Sequence, residues 1–437
     1  MNTWMPRALR PRAFPLFLVP LAILGAAGES FAQTCLTVPA ANCQYLMPAE
    51  GDFELALDPL DDHVLFLTND GTSCAAYPPP AAEAWVASPV GDIVLRQLDL
   101  DGDLPNPLAS PNHPSNPHVR WVDAYVGCDF LNGPEFISPA LSTSDALGLV
   151  YRGNNNVGDV GLMVLQRPSS PASWDAFGAE YGPVGPQTVY PAPDIVAYPS
   201  DVFYGAWLAE PGSGVCEQTC VGAAAQSPTV VSLPAALASM LPPYTVYAQA
   251  LHPTLAGTAV VTGCNSAGTC GLAFATLDAA AGTVTGVAPK LTLANPATDG
   301  GTLGGATFPG RPDTFWFAID ATKHLHVIRE NALHQLTDLL SVLPLDAAGT
   351  PFTPTAMDHV SVAAGDDQLV AYVQVNSGAN TGTYKIVISW TGVTYVHDDL
   401  DRFSTCEHTV EVVHSTTAGW LSYENNSDQI YRCVQPW

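Results

Sequence analysis

One phrase recurs along this chain at a spacing that few folds can accommodate. It runs as a short strand-like segment, a turn, a longer apolar segment, a second turn and a third apolar segment. "FISPALSTSDALGLVYRGNNNVGDVGLMVLQR" opens at Phe136 and "DIVAYPSDVFYGAWLAEPG" at Asp194. "YAQALHPTLAGTAVVTGCNSAGTCGLAFATLD" opens at Tyr247 and "GGATFPGRPDTFWFAIDATKHLHVIREN" at Gly304. "MDHVSVAAGDDQLVAYVQVNSGANTGTYKIVISW" opens at Met357 and "HTVEVVHSTTAGWLSYENNSDQIYRCV" at His408. Successive openings lie 51 to 58 residues apart. A shorter relative, "DFELALDPLDDHVLFLTNDG", opens at Asp52, and "GDIVLRQLDLDGD" to "HVRWVDAYVGCD" offers material for one more unit. A period near fifty with three or four strands per unit points to small sheets stacked around an axis, each covering its neighbour's apolar faces.

The segments themselves favour strands. They are rich in Val, Tyr, Phe, Trp and Thr, and 39 prolines and 36 glycines punctuate the chain in a way that suits turns and would break helices. Middle segments such as "DTFWFAI" and "DQLVAYVQV" are apolar at nearly every position, as strands buried on both faces must be. Two stretches, "LPAALASML" (233–241) and "NALHQLTDLLSVL" (331–343), could instead form short helices or irregular outer segments. The fold class expected is all-β, a β-propeller of four-stranded antiparallel blades. Seven blades is the favoured count, with six or eight as alternatives, and a strand from the N-terminus completes the last unit.

"ALDPLDDHVLFLTNDG" and "FPGRPDTFWFAIDATKHLHVI" resemble the strand, Pro-Asp turn, strand phrase of TolB-like bacterial secreted propellers. The resemblance extends over two or three blades and implies the fold alone. The sialidase Asp-box is absent, and the single Trp-Asp dipeptide, Trp174–Asp175, does not repeat as WD40 blades would require.

The N-terminus has the composition of an export signal. Arg7, Arg10 and Arg12 precede the apolar stretch "FPLFLVPLAILGAAG", and "SFA" ahead of Gln33 fits a cut after Ala32. The expected organisation is a signal peptide over 1–32, an N-terminal disulfide segment over 33–51 and one propeller over 52–437. The mature chain is then secreted or periplasmic, and no later run reaches the ~18 apolar residues of a spanning helix.

Ten cysteines in an exported chain read as five disulfides. Spacing suggests local pairs: Cys264 with Cys270, Cys216 with Cys220, and Cys406 with Cys433. Cys35 with Cys43 and Cys74 with Cys128 remain.

A formal net charge of −27 disfavours nucleic acid and anionic lipid and favours cations or cationic partners. Charged residues are nevertheless only 13% against 47% hydrophobic, enough apolar material for a large core.

No motif names a reaction. H-E-x-x-H, G-x-S-x-G, G-x-G-x-x-G and G-x-x-x-x-G-K-[ST] are all missing. Asp99, Asp101 and Asp103 in "LDLDGDLPNP" alternate like early calcium ligands, although the glycine and the closing glutamate of an EF-hand loop are out of place; the competing reading is an acidic turn. His324 and His326, two apart, would share one strand face and could chelate a metal if a third ligand joined them; otherwise they are packed, hydrogen-bonded histidines. "YVHDDLDRF" gathers His397, Asp398, Asp399 and Asp401 in what reads as a linker between the last two units. "PNHPSNPHVRW", with His113, His118 and Arg120, reads as a long loop across one face.

The functional expectation is therefore a monomeric binding or interaction module for an extracellular or periplasmic protein or carbohydrate, with calcium the one cofactor suggested. The alternatives are a propeller polysaccharide lyase or glycoside hydrolase with a carboxylate/histidine site on the axis, and a structural part of an envelope assembly. An enzyme would gather acids or histidines with displaced pKa values in one pocket; an interaction module would present a broad loop face.

Overall fold

A computed structural model describes the strands named below and, continuously, residues 244–278, 283–297, 302–404, 410–415, 418–425 and 429–436, with side chains for most positions from 245 onward. Among the described residues, β1 (Cys43–Pro48) is followed by seven sheets in chain order. Sheet one holds β2 (Phe53–Leu57), β3 (Val64–Asn69), β4 (Ala82–Ala87) and β5 (Arg96–Asp99). Sheet two holds β6 (Pro134–Leu141), β7 (Ala146–Gly153), β8 (Val160–Gln166) and β9 (Asp175–Tyr181). Sheet three holds β10 (Asp194–Tyr198), β11 (Val202–Ala209) and β12 (Thr229–Ala236). Sheet four holds β13 (Tyr244–Leu251), β14 (Thr258–Asn265), β15 (Cys270–Asp278) and β16 (Thr283–Thr292). Sheet five holds β17 (Leu303–Thr307), β18 (Thr314–Ile319), β19 (Leu325–Glu330) and β20 (Leu336–Val342). Sheet six holds β21 (Ala356–Ala364), β22 (Gln368–Asn376), β23 (Gly382–Trp390), β24 (Tyr395–His397) and β25 (Asp401–Ser404). Sheet seven holds β26 (Val410–Ser415), β27 (Gly419–Asn425) and β28 (Gln429–Val434), with β1 added beside β28.

The first strands form a closed ring. β2, β6, β10, β13, β17, β21 and β26 each pack beside the first strand of the next sheet, and β26 returns to β2. The protein is a β-propeller, and the recurring phrases of the sequence open on or beside these inner strands.

Stacking explains the uninterrupted apolar strands. On β18 every residue is buried. Phe315, Phe317 and Ile319 point toward sheet six, against Leu369, Ala371, Val373 and Tyr384. Trp316 and Ala318 point the other way, against Ala248, Val260, Leu272 and Phe274 of sheet four. β22 repeats the arrangement, with Val370 and Tyr372 facing Val410, Val412 and Trp420 of sheet seven. Alternation is present as in any strand, but both faces meet a neighbouring sheet.

The closest approach on sheet five is at Gly305, which pairs with Trp316 across β17 and β18. A Cβ there would lie 2.4 Å from Cε3 of the indole. Gly305→Ala is expected to destabilise by about 1–3 kcal/mol through overpacking, readable as a lower urea midpoint with unchanged slope.

Several expectations are corrected. Residues 331–343 do not form a helix: Asn331 accepts the backbone N–H groups of Leu333 and Gln335 in a turn, and β20 then pairs along β19. The tertiary ladder overrides the helical propensity of the leucines. Of residues 233–241, the first four are the end of β12, which runs parallel to β11, and 237–241 lie outside the described residues. Sheet three thus departs from the antiparallel pattern; a parallel pair needs a long crossover, and the chain between Ala209 and Thr229 is long enough to supply one. "YVHDDLDRF" is no linker: β24 and β25 both pair with β23 and form the outer edge of sheet six. "RQLD" of the extra unit is β5, the fourth strand of sheet one.

Cys433 is bonded to Cys43 rather than Cys406, which also removes the Cys35–Cys43 pairing. The cause is register: β1 runs antiparallel to β28 and sets Cys43 directly opposite Cys433. Cys264–Cys270 forms as expected, across the β14–β15 hairpin. Cys35, Cys74, Cys128, Cys216, Cys220 and Cys406 lie outside the described residues. Among the described residues no helix is long and apolar enough to cross a membrane.

Candidate functional site

In an antiparallel meander the loops after the first and third strands emerge on one face of the ring. On that face the junction of sheets four and five buries a carboxylate. Glu330 closes β19 with its side chain 2% exposed. It accepts a hydrogen bond from Trp316 Nε1 at 2.8 Å. His252, just past β13, donates from Nε2 to Oε1 at 2.9 Å. His334, in the turn before β20, donates from Nδ1 to Oε1 at 2.6 Å. Burial alone would raise the Glu330 pKa, but these three N–H donors outweigh it and hold the carboxyl below its ordinary range.

The ligating atoms of His252, Glu330 and His334 all lie within 4.8 Å of one another, a spacing a metal ion could bridge. The tautomer of His252 argues otherwise. Its Nδ1 accepts the backbone N–H groups of Leu255 at 3.0 Å and Thr254 at 3.2 Å. That nitrogen therefore carries the lone pair, Nε2 carries the proton, and nothing on His252 is left to bind a cation. The cluster is a socket for an anionic side chain, holding two sheets together.

Because the Glu330 pKa is lowered on folding, its contribution is present above the unfolded value near 4.5 and is lost as pH falls through the folded value. Glu330→Gln is accordingly expected to be less stable than the parent at pH 7, with the gap narrowing below about pH 4.5. Urea titrations at pH 7 and pH 3.5 would check this, and a gap that stays constant would contradict it.

The next two junctions follow the same logic. Between sheets five and six, Tyr395 donates to Asp313 Oδ2 at 2.7 Å while Arg329 Nε donates to Oδ1 at 2.9 Å. Burial and the Asp313 carboxylate push the Tyr395 phenol well above its ordinary pKa. Arg311 donates to Asp367 at 2.7 Å and lies 4.7 Å over the Trp390 ring. Between sheets six and seven, His359 donates to Glu411 at 2.6 Å and Ser361 donates to its other oxygen.

His324 and His326 sit on the opposite face. They do not share a strand: His324 ends the turn before β19 and His326 lies within it. Both approach one carboxylate, Asp320, with His326 Nε2 3.3 Å from Oδ2 and His324 Nδ1 3.8 Å from Oδ1. His326 Nδ1 is 2.9 Å from Asp338 Oδ2. Burial would lower the His326 pKa, but Asp338 and then Asp320 raise it above the ordinary value.

An open groove of about 530 Å³ runs along the edge of sheet six, lined by Lys385, His397, Asp398, Asp399, Asp401, Arg402 and Phe403. It contains all four residues that the sequence had singled out in "YVHDDLDRF". The side chain of Asp99, together with Asp101, Asp103, His113, His118 and Arg120, lies outside the described residues. Sequence reading missed the Glu330 socket and Asp313–Tyr395. Their partners stand 78 and 82 residues apart and meet only through stacking of successive units.

No protein-family model matches this chain, and no curated protein matches it. Among solved structures the chain is similar to the BP39L lectin of Burkholderia pseudomallei, at 12% identity over 89% of this chain and 97% of that one, TM-score 0.42. It is also similar to AofleA of Arthrobotrys oligospora, at 9% identity over 88% and 82%, TM-score 0.40. A third is the GH43 protein BlXynB of Bacillus licheniformis, at 10% identity over 82% and 57%, TM-score 0.36. The fold assignment rests on the ring of sheets described above.

Proposed function

We propose that this chain is an exported binding module that offers the acid-lined groove of sheet six to a cationic partner, an extracellular or periplasmic protein or carbohydrate bearing amines. The observation that carries the reading is how the carboxylates divide. Glu330, Asp313 and Glu411 are engaged in bonds that hold sheet to sheet. Asp398, Asp399 and Asp401 stand exposed along one groove. The field of a chain with net charge −27 attracts the same partners. A glycosidase or lyase would instead need an acid with a raised pKa. Glu330 and Asp320, the carboxyls displaced among the described residues, are both displaced downward.

Calorimetric titration with a lysine-rich peptide and with oligomers of an amino sugar tests the reading. Saturable binding that weakens with salt, and falls at least tenfold in the combined variant Asp398→Asn, Asp399→Asn and Asp401→Asn, is the expected result. Binding unchanged in that variant, or release of new reducing ends from a polysaccharide, would overturn it. Calcium at Asp99, Asp101 and Asp103 is proposed as a second ligand. At one hundred times its dissociation constant it would stabilise the fold by about 2.7 kcal/mol over sodium chloride of matched ionic strength, and Asp101→Ala with Asp103→Ala would remove the gain.

A further inference from the structure

His326 lies between two carboxylates. Its Nδ1 is 2.9 Å from Oδ2 of Asp338, on β20, and its Nε2 is 3.3 Å from Oδ2 of Asp320, which opens the turn before β19. An ionised carboxylate only accepts, so a ring bonded to one at each nitrogen carries a proton on both. His326 is then an imidazolium, with no lone pair for a metal. A neutral ring would serve one carboxylate and turn a lone pair toward the other.

The surroundings hold this charged form in place. The His326 and Asp320 side chains are 11% and 10% exposed, so little water screens them. Oδ1 of Asp320 accepts the backbone N–H groups of Thr322 and His324, both at 2.9 Å, and the Thr322 hydroxyl lies within 2.9 Å of both carboxylate oxygens. His324 Nδ1 approaches the same carboxylate at 3.8 Å. The residues opposite His326 on β18 and β20 are Ala318 and Ser341, neither of them charged. Among the described residues, no charged group of sheet four or sheet six bonds to the ring.

The turn also holds the connection from sheet four to sheet five. Ala321 donates its N–H to the Asn295 carbonyl at 2.7 Å, Ala297 donates to Ile319 at 3.1 Å, and Pro296 pairs with Asp320. Asn295 and Lys323 stand at φ 52° and 66°, a sparsely populated conformation for residues other than glycine. His326 therefore ties a strained turn, and the connection bound to it, to β19 and β20.

We propose that Asp320, His326 and Asp338 form a pH-sensitive clasp on sheet five, closed while the imidazolium bridges both carboxylates and opened when the Nε2 proton is lost to solvent. Asp338 makes the shorter contact and keeps the remaining proton on Nδ1, so the turn and the connection are what is released. The clasp is independent of the groove on sheet six. Burial would lower the His326 pKa, but Asp338 and then Asp320 hold it above 6.5. The contribution of the clasp is thus complete below about pH 6.5 and is lost as pH rises through the folded value. Burial would raise the Asp320 pKa, but the His324 N–H, Thr322 and His326 hold it below 3.8, so the clasp persists until pH falls through that lower value.

Nitrogen-15 NMR of the full folded chain with labelled histidine tests the protonation directly. At pH 6.5 one histidine should show both ring nitrogens protonated, with a midpoint above 6.5. Its signal should vanish in His326→Gln, and its midpoint should move down in Asp338→Asn. Amide exchange reads the release. Opening at Ala297, Ala321, Thr322 and His324 should grow by up to about tenfold per pH unit between 6.5 and that midpoint, beyond the intrinsic rise in exchange rate, and then level off. In His326→Gln that extra dependence should be absent. The measurements on the parent chain do not require any variant to fold. A His326 midpoint at or below 6.5, exchange at these four amides that follows only the intrinsic rate, or the same extra dependence in His326→Gln would each overturn the clasp.

Discussion

Replacing Cys43 or Cys433 by serine is expected to lower stability by about 6 kcal/mol, the largest loss any single cysteine should cause. The bond joins residues separated by 390 positions, so in the unfolded chain it closes nearly the whole molecule into one loop. The chain-entropy account makes stabilisation grow with the logarithm of loop length. Cys264–Cys270 spans only 6 positions, and on the same scale its removal costs about 2 kcal/mol. Thermal unfolding of the two variants under oxidising conditions provides the comparison. The long bond should give the larger fall in Tm, and a reductant should lower the parent toward the Cys433→Ser value. A Cys264→Ser variant less stable than Cys433→Ser would show that strain or residual unfolded structure outweighs loop closure here.

Trp316→Ala is expected to cost about 4 kcal/mol or more. The side chain is fully buried and packs against Ala248, Val260, Leu272 and Phe274 of the preceding sheet. Truncation opens a cavity at that junction, and it also removes the indole N–H that Glu330 accepts at 2.8 Å. A buried carboxylate short of one donor adds about 1–3 kcal/mol to the cavity cost. Trp316→Phe separates the contributions, since it keeps much of the volume and deletes the donor. It should fall between the parent and Trp316→Ala in equilibrium urea unfolding. In the Glu330→Gln background, where no charge needs the indole N–H, the penalty of Trp316→Phe should shrink. Equal penalties in the two backgrounds would mean that the bond to Glu330 contributes little.

The architecture was legible because the units repeat. Val and Tyr in "DQLVAYVQV" and the aromatics of "DTFWFAI" announce strands covered on both sides, and a fifty-residue period leaves few ways to cover them. What could not be read was anything that depends on which unit neighbours which. The leucines of 331–343 suit a helix locally, and only the ladder to β19 makes them a strand. Cys433 has a plausible partner nearby in Cys406, and the true one is found only when β1 is laid beside β28. The socket around Glu330 is similar: His334 lies four residues away and could have been suspected, but His252 belongs to the preceding unit. His324 and His326 were visible as a pair, whereas Asp320 became their common partner only through the turn that brings its carboxylate back to Thr322 and His324.

The pairing of β1 with β28 also sets the order of events in folding. Each of the other sheets can form from strands close together in sequence, so those contacts arise early and at small entropic cost. Sheet seven cannot be finished until residues 43–48 find residues 429–434, a search across almost the full chain. Contacts so distant slow folding and leave an unpaired edge exposed in the meantime. A chain interrupted before β28 would carry β1 as an open strand beside an incomplete ring, a species prone to pairing with another copy of itself.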